Sequence, residues 1–281
     1  MPTNNNKISF ALKTTNWCNL KCAHCCECSG PNVIPNIMPL GTVEKYLGEF
    51  SALPVDKWRH MVFTGGEAMA PYFHKQMEYV PKCLDIAANN NMIPFVKTNG
   101  TWGADDNMRQ RILRDVAAAA YKNNVLMSLD LSVDEFHHND VAVYNILNDV
   151  VRSDYLAPAV RISLCSLNTQ ASHATFARLI ERLQNSGLEI GVNNYGEMSV
   201  SVPMMHKVSV YYDLLTNVSG AGRAKANDIG AYTPSGRPDP DTGHCFQIDN
   251  ADIATLNYKY RAPMNSRPMI DVVAELMTKA R

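Results

Sequence analysis

Between residues 8 and 194 short apolar runs alternate with longer amphipathic stretches. Residues 8–15 (Ile-Ser-Phe-Ala-Leu-Lys-Thr-Thr) alternate with a period of two and predict a first strand. A helix is predicted from Thr42 to about Leu53, where Pro54 ends it. His60–Thr64 predicts a second strand, closed by Gly65-Gly66, and a helix follows over 73–90. The third strand is Ile93–Thr98, ended by Asn99-Gly100, and residues 105–122 are helical. Val125–Leu131 is the fourth strand, with a helix over 140–151. Val160–Leu167 is the fifth, with a helix over 172–186 stopped by Gly187. Leu188–Asn194 is the sixth.

A strand followed by a helix, five times over, predicts right-handed crossovers and a parallel sheet. The class is α/β, and two architectures satisfy it. The special polar segments stand at the C-terminal ends of several different strands: a cysteine loop, Gly-Gly-Glu, Thr-Asn-Gly and the region of Asp130. That distribution predicts a partial (β/α)6 TIM-like barrel with a short C-terminal extension. An open sheet would gather function at one switch point. The barrel is expected over 1–218 and the extension, packed on it, over 219–281. Within this last part, 205–218 is expected to be a helix, 219–245 a Gly-, Pro- and Asp-rich loop, and 268–280 a final helix.

Composition changes this picture little. Hydrophobic residues make up 46% of the 281, enough for a sizeable core without disulfide staples. The formal net charge of -1 gives no reason to expect a nucleic-acid or membrane surface. The N-terminus lacks the apolar run of a signal peptide, and no stretch reaches the length of a membrane span. The expected compartment is the cytoplasm.

Cysteine changes it a great deal. Five of the eight, Cys18, Cys22, Cys25, Cys26 and Cys28, crowd into the loop after the first strand. In a reducing compartment this indicates metal or redox chemistry. The spacing Cys18-x3-Cys22-x2-Cys25 supplies three thiolates from one loop, enough for three irons of a cubane cluster with the fourth iron open. A structural zinc would need four ligands; His24 and Cys28 could be recruited, giving for example Cys22, Cys25 and Cys28 plus a fourth group.

The stretch Trp17-Cys18-Asn19-Leu20-Lys21-Cys22-Ala23-His24-Cys25 resembles the cluster motif of the radical S-adenosylmethionine (SAM) superfamily. The resemblance implies a [4Fe-4S] cluster on Cys18, Cys22 and Cys25, with SAM on the open iron. It implies reductive cleavage of SAM to a 5'-deoxyadenosyl radical, which takes a hydrogen atom from the substrate. His24 lies where the family has an aromatic residue packing near the cluster. Gly65-Gly66-Glu67 is similar to the family's contact to the SAM amino group. Two glycines also permit close backbone approach on physical grounds alone. Asn99, in Lys97-Thr98-Asn99-Gly100, is similar to a residue shaping the SAM side of the barrel, although an ordinary Asn-Gly turn accounts for it as well.

Ser128 and Asp130 share the polar face of the fourth strand, which must look away from the helices. Inward polar groups need partners, and a hydroxyl-rich ligand supplies them. By resemblance Ser128 and Asp130 are SAM or substrate contacts, Ser163 on the fifth strand a ribose contact, and Asn194 an adenine neighbour. His137, in Asp134-Glu135-Phe136-His137, is a candidate proton-transfer group. Cys165 and Cys245 are candidate hydrogen-atom donors, Cys245 on the expectation that it lies in a loop. Only Cys245 follows Gly220-Ala221-Gly222-Arg223-Ala224, so a single cluster is expected.

The resemblance to peptide-modifying members implies a ribosomally made peptide as substrate, epimerised or cross-linked, and a flavodoxin- or ferredoxin-type reductant. The chain leaves no room for a leader-binding domain before residue 8, which weighs against a peptide. A small-molecule or nucleotide enzyme, a glycyl-radical activase and a non-catalytic metal-binding module are the alternatives.

Overall fold

The computed structural model describes residues 7–25, 27–53, 58–167, 169–192, 198–201, 207–215, 245–248, 253–256, 260–263, 271, 272 and 275. The chain is α/β, of the partial (β/α)6-barrel class, with antiparallel strands appended. It divides into two compact units.

The first unit comprises residues 1–19, 29–95 and 233–281. It holds strands β1 (Lys7–Thr15) and β2 (Trp58–Gly65), paired in parallel, with β3 (Ile93–Thr98) next in order. Helix α1 (Leu40–Ser51) buries Val43, Tyr46, Leu47 and Phe50, the i, i+3, i+4, i+7 stripe of an amphipathic helix. Phe50 stacks on Phe10 of β1 at 4.5 Å. Of the helix expected over 73–90 only α3 (Tyr79–Asn89) forms, and a short helix, α2 (Ala70–Phe73), precedes it. Lys75 takes a positive φ between them, and Pro81 sits in the first turn of α3, where its missing N–H costs nothing.

On α3, burial pushes the Cys83 thiol up to about 12, against a hydrogen bond with Tyr79 that works the other way. Tyr79 is raised too, by burial first and then by Cys83, and its hydroxyl donates to the Met38 carbonyl at 2.6 Å. A raised acid favours the folded protein fully below its unfolded pKa, and the benefit is lost as pH climbs. Folding stability is therefore expected to fall from about pH 8.5, the ordinary thiol value, upward. Cys83→Ala should flatten that decline in denaturant midpoints taken between pH 8 and 10.5.

The second unit comprises residues 20–28 and 96–232, so β3 contributes its last residues here. Next in order is β4 (Met127–Ser132), and β5 (Val160–Leu167) pairs with β4 in parallel. Two further strands are β6 (Glu189–Val192) and β7 (Met198–Ser201), an antiparallel pair. Strand β8 (Lys207–Leu215) lies between β5 and β7, parallel to the first and antiparallel to the second. Two expectations are corrected here. Residues 207–215, inside the helix expected over 205–218, form a strand, and the strand that extends the parallel set beyond β5 is β8, not the sixth strand read at 188–194. Val208 and Val210 alternate inward, a period of two that suits a strand.

Helix α4 (Asp106–Asn123) starts on Asp105, whose carboxylate accepts the Met108 N–H at 2.8 Å. Helix α5 (Asp140–Val151) buries Val143, Ile146, Leu147 and Val150. Helix α6 (Gln170–Asn185) is capped by Thr169, which accepts the Ser172 N–H at 3.1 Å.

Three short strands complete the first unit: β9 (Cys245–Ile248), β10 (Ile253–Leu256) and β11 (Tyr260–Pro263). β9 adds to β1 in parallel, and β10 and β11 follow it antiparallel. Cys245 thus opens a strand, beside Ser9, and does not lie in a loop. Residues 219–244, most of the expected 268–280 helix and Asn194 lie outside the described residues.

Candidate functional site

In the first unit, β1 runs directly into the cysteine segment. The Gly66 N–H donates to the Thr15 carbonyl at 2.9 Å and the Glu67 N–H to the Trp17 carbonyl at 2.8 Å. These bonds seize the chain just before Cys18. Gly65 has φ +143, a region that side chains avoid. A Cβ on Gly66 would stand 2.2 Å from the Trp17 carbonyl oxygen. The neighbour that requires the two glycines is therefore the backbone leading into the cysteines. Glu67 is 1% exposed, and one of its oxygens accepts the Met69 N–H at 2.8 Å.

The returning limb is held as well. Trp17 bridges to Gly30 and Thr15 to Ile37, and the Met38 N–H donates to the Thr14 carbonyl at 2.8 Å. Trp17 packs its ring on Phe73 at 5.6 Å and on His74 at 4.6 Å. Cys18 is buried. A cavity of about 620 Å³ opens beside this limb, lined by Pro35, Ile37, Met38, His74 and Tyr79 among others.

In the second unit, the Cys25 N–H donates to the Cys22 carbonyl at 3.2 Å, a tight turn carrying both thiols. Cys18, Cys22, Cys25, Cys28, Cys83 and Cys165 are all thiols, none in a disulfide. Between Cys22 and Cys25, the His24 ring lies on Phe136 at 4.5 Å and meets His137 edge-on at 5.2 Å.

Those partners belong to the loop after β4. Asp134 accepts the Phe136 N–H at 2.9 Å and the His137 N–H at 3.2 Å, and each of its oxygens lies 2.8 Å from His137 Nδ1. Burial works to raise the Asp134 carboxyl, but the bond and charge of His137, then the charge of His24, outweigh it and hold it below its ordinary value. His137 is thus a fixed group with its side chain 12% exposed, not a surface residue. The sequence hint was an Asp three residues before a His after a strand. His24 stood out only within the cysteine loop, and nothing local tied it to residues 134–137.

On β4, Ser128 is buried and Asp130 and Ser132 are half-buried. Met127, Leu129 and Leu131 are buried, while register places Ser128 beside Arg161, Asp130 beside Ser163, and Ser132 beside Cys165. The same rows continue to β8, where Tyr211 follows Ser163 and Asp213 follows Cys165. Asn99 makes a turn: its side-chain oxygen accepts from the Thr101 N–H at 3.0 Å and hydroxyl at 2.7 Å. Gly100, at φ +69, completes that turn. Asn139 reaches from the start of α5 to the Asn99 and Ser132 carbonyls, which ties the ends of β3 and β4 together.

No protein-family model matches the sequence, and no curated protein matches it. Solved structures do. Over 95% of this chain and 65% of the other, SuiB of Streptococcus suis bound to S-adenosylmethionine superposes with a TM-score of 0.53 at 11% identity. The protein anSMEcpe, with AdoMet and a Cp18Cys peptide bound, matches over 64% of this chain and 48% of its own, with a TM-score of 0.42 at 15% identity. The chain thus spans about half to two thirds of these structures. At such identity the likeness to SuiB is one of fold.

Proposed function

We propose that this protein is a radical SAM enzyme that takes a hydrogen atom from a peptide. The observation that carries it is Cys18-x3-Cys22-x2-Cys25 at the C-terminal end of β1, with Gly65-Gly66-Glu67 hydrogen-bonded to the chain that delivers its first cysteine. The donor set fits a [4Fe-4S] cluster: three thiols, two of them on one turn, and soft thiolate ligands select iron–sulfur clusters. Cys18, Cys22 and Cys25 would hold the cluster. When bound, the cluster and SAM together supply the hydrogen-abstracting 5'-deoxyadenosyl radical.

The chain's own residues bind, orient and shield. Gly65 and Gly66 keep the cysteine segment close to β2, and Glu67 is the proposed partner of an ammonium group. Ser128 and Asp130, with Ser163 beside Asp130 in register, are the proposed hydroxyl and carboxylate contacts, with Asn99 and Asn194 on the adenosine side. Cys165, in the row of Ser132 and Asp213, is the proposed hydrogen-atom donor, with Cys245 as the alternative. SuiB, whose fold the chain shares, is solved with S-adenosylmethionine bound, which agrees with this cofactor. Peptide chemistry is supported by the likeness of residues 128–137 and 220–224 to peptide-modifying enzymes. A flavodoxin- or ferredoxin-type protein is the proposed reductant.

The test is anaerobic incubation of reconstituted protein with SAM, dithionite and a deuterated peptide library. Deuterium in the 5'-deoxyadenosine is the expected result. Release of 5'-deoxyadenosine without deuterium would overturn the peptide, and no cleavage at all would overturn the enzyme.

A further inference from the structure

A second group of metal-type donors lies in the second unit. One ligand atom each from His24, Asp134 and His137 can be chosen so that all three lie within 4.8 Å of one another. We infer that these three side chains form a separate site for one divalent ion of the zinc class, which fastens the loop bearing Cys22 and Cys25 to the loop after β4.

The donors suit that ion. Two imidazoles and one carboxylate are a set that zinc takes in three-ligand sites, leaving a fourth position open. Asp134 offers its carboxylate from a buried position. The carboxylate is already aimed: two backbone N–H groups of its own turn hold it, so little ordering remains when an ion arrives. His137 Nδ1 faces the carboxylate at 2.8 Å. An ion bound there requires that nitrogen without a proton, since a metal takes neutral imidazole. The neighbouring carboxylate, Glu135, bonds Thr169 and Ser172 at the start of α6 and is not part of the set.

Geometry asks for a small adjustment. A tetrahedral ion with bonds of about 2.1 Å spaces its ligands roughly 3.4 Å apart, so the 2.8 Å His137–Asp134 pair must open by about 0.6 Å and a donor as far off as 4.8 Å must close by about 1.4 Å. His24 can supply the closing movement by shifting against the Phe136 ring, which it meets at 4.5 Å and a tilt of 32°. The consequence is mechanical. Residues 20–28 are joined to 134–137 by ring packing, and a coordinated ion would turn that packing into a crosslink.

The site needs no iron–sulfur cluster, so its test is independent of the proposed function. Protein without a histidine tag, with and without reconstituted cluster, is given one equivalent of Zn2+, desalted, and examined by metal analysis and zinc K-edge absorption. About one retained zinc is expected, with nitrogen and oxygen at about 2.0–2.1 Å and no sulfur at about 2.3 Å. His24→Ala and His137→Ala should each cut retention at least tenfold with unchanged far-UV circular dichroism. Zinc that is not retained, that carries sulfur neighbours, or that is held equally by both variants would overturn the site. The spectrum of the unsubstituted protein decides alone if a variant fails to fold.

Discussion

Gly66→Ala is expected to destabilise the protein by about 3–5 kcal/mol, among the largest effects of any single change. Its Cβ would sit 2.2 Å from the Trp17 carbonyl oxygen and 2.6 Å from the carbonyl carbon. Both are backbone atoms, so no side chain can swing aside. Relief requires β1 and the cysteine segment to part from β2. That motion breaks the Gly66–Thr15 and Glu67–Trp17 hydrogen bonds, each worth about 1 kcal/mol. Gly48, inside α1, has nothing within 4 Å of an added Cβ, and Gly48→Ala should stabilise by up to about 1 kcal/mol. Gly103 gives the sharper control, since its Cβ would meet the Ala142 carbonyl at 2.3 Å in the other unit. Denaturant midpoints should fall for Gly66→Ala and Gly103→Ala alike. At matched stability, only Gly66→Ala should lose iron–sulfur reconstitution. Equal reconstitution by the two would remove Gly66 from the site.

The second large effect is on chemistry. Alanine at Cys18, Cys22 or Cys25 is expected to abolish the cluster and lower SAM cleavage at least a hundredfold, about 2.7 kcal/mol or more in barrier. Cys28→Ala and Cys83→Ala should leave both intact. Cys28 is exposed with φ 56, and Cys83 is sealed within α3's buried face. The pattern separates two metals. A zinc held by Cys22, Cys25 and Cys28 would be lost in Cys28→Ala and spared in Cys18→Ala, the opposite outcome.

Much of this was legible where local chemistry and tertiary demand agree. β3, β5 and α5 lie where periodicity placed them, since each has a clean apolar face and a marked end. The 73–90 segment misled because its apolar spacing continues through the break, while the decisive residue, Pro81, is as compatible with a first turn as with a kink. Residues 207–215 misled because the strand–helix rhythm called for a helix, although Val208, Val210 and the two tyrosines favour a strand. The glycines of Gly65-Gly66 announced a close approach, and the structure names Trp17 as what approaches. The cluster of His24, Asp134 and His137 was not legible, because nothing local ties residue 24 to residue 134.

Iron, acid-labile sulfide and zinc per chain, after anaerobic purification and reconstitution, test the central claim most directly. About four irons and four sulfides per chain are predicted, lost together in the three cysteine variants. Zinc on the cysteines, with neither iron nor sulfide taken up, would contradict it.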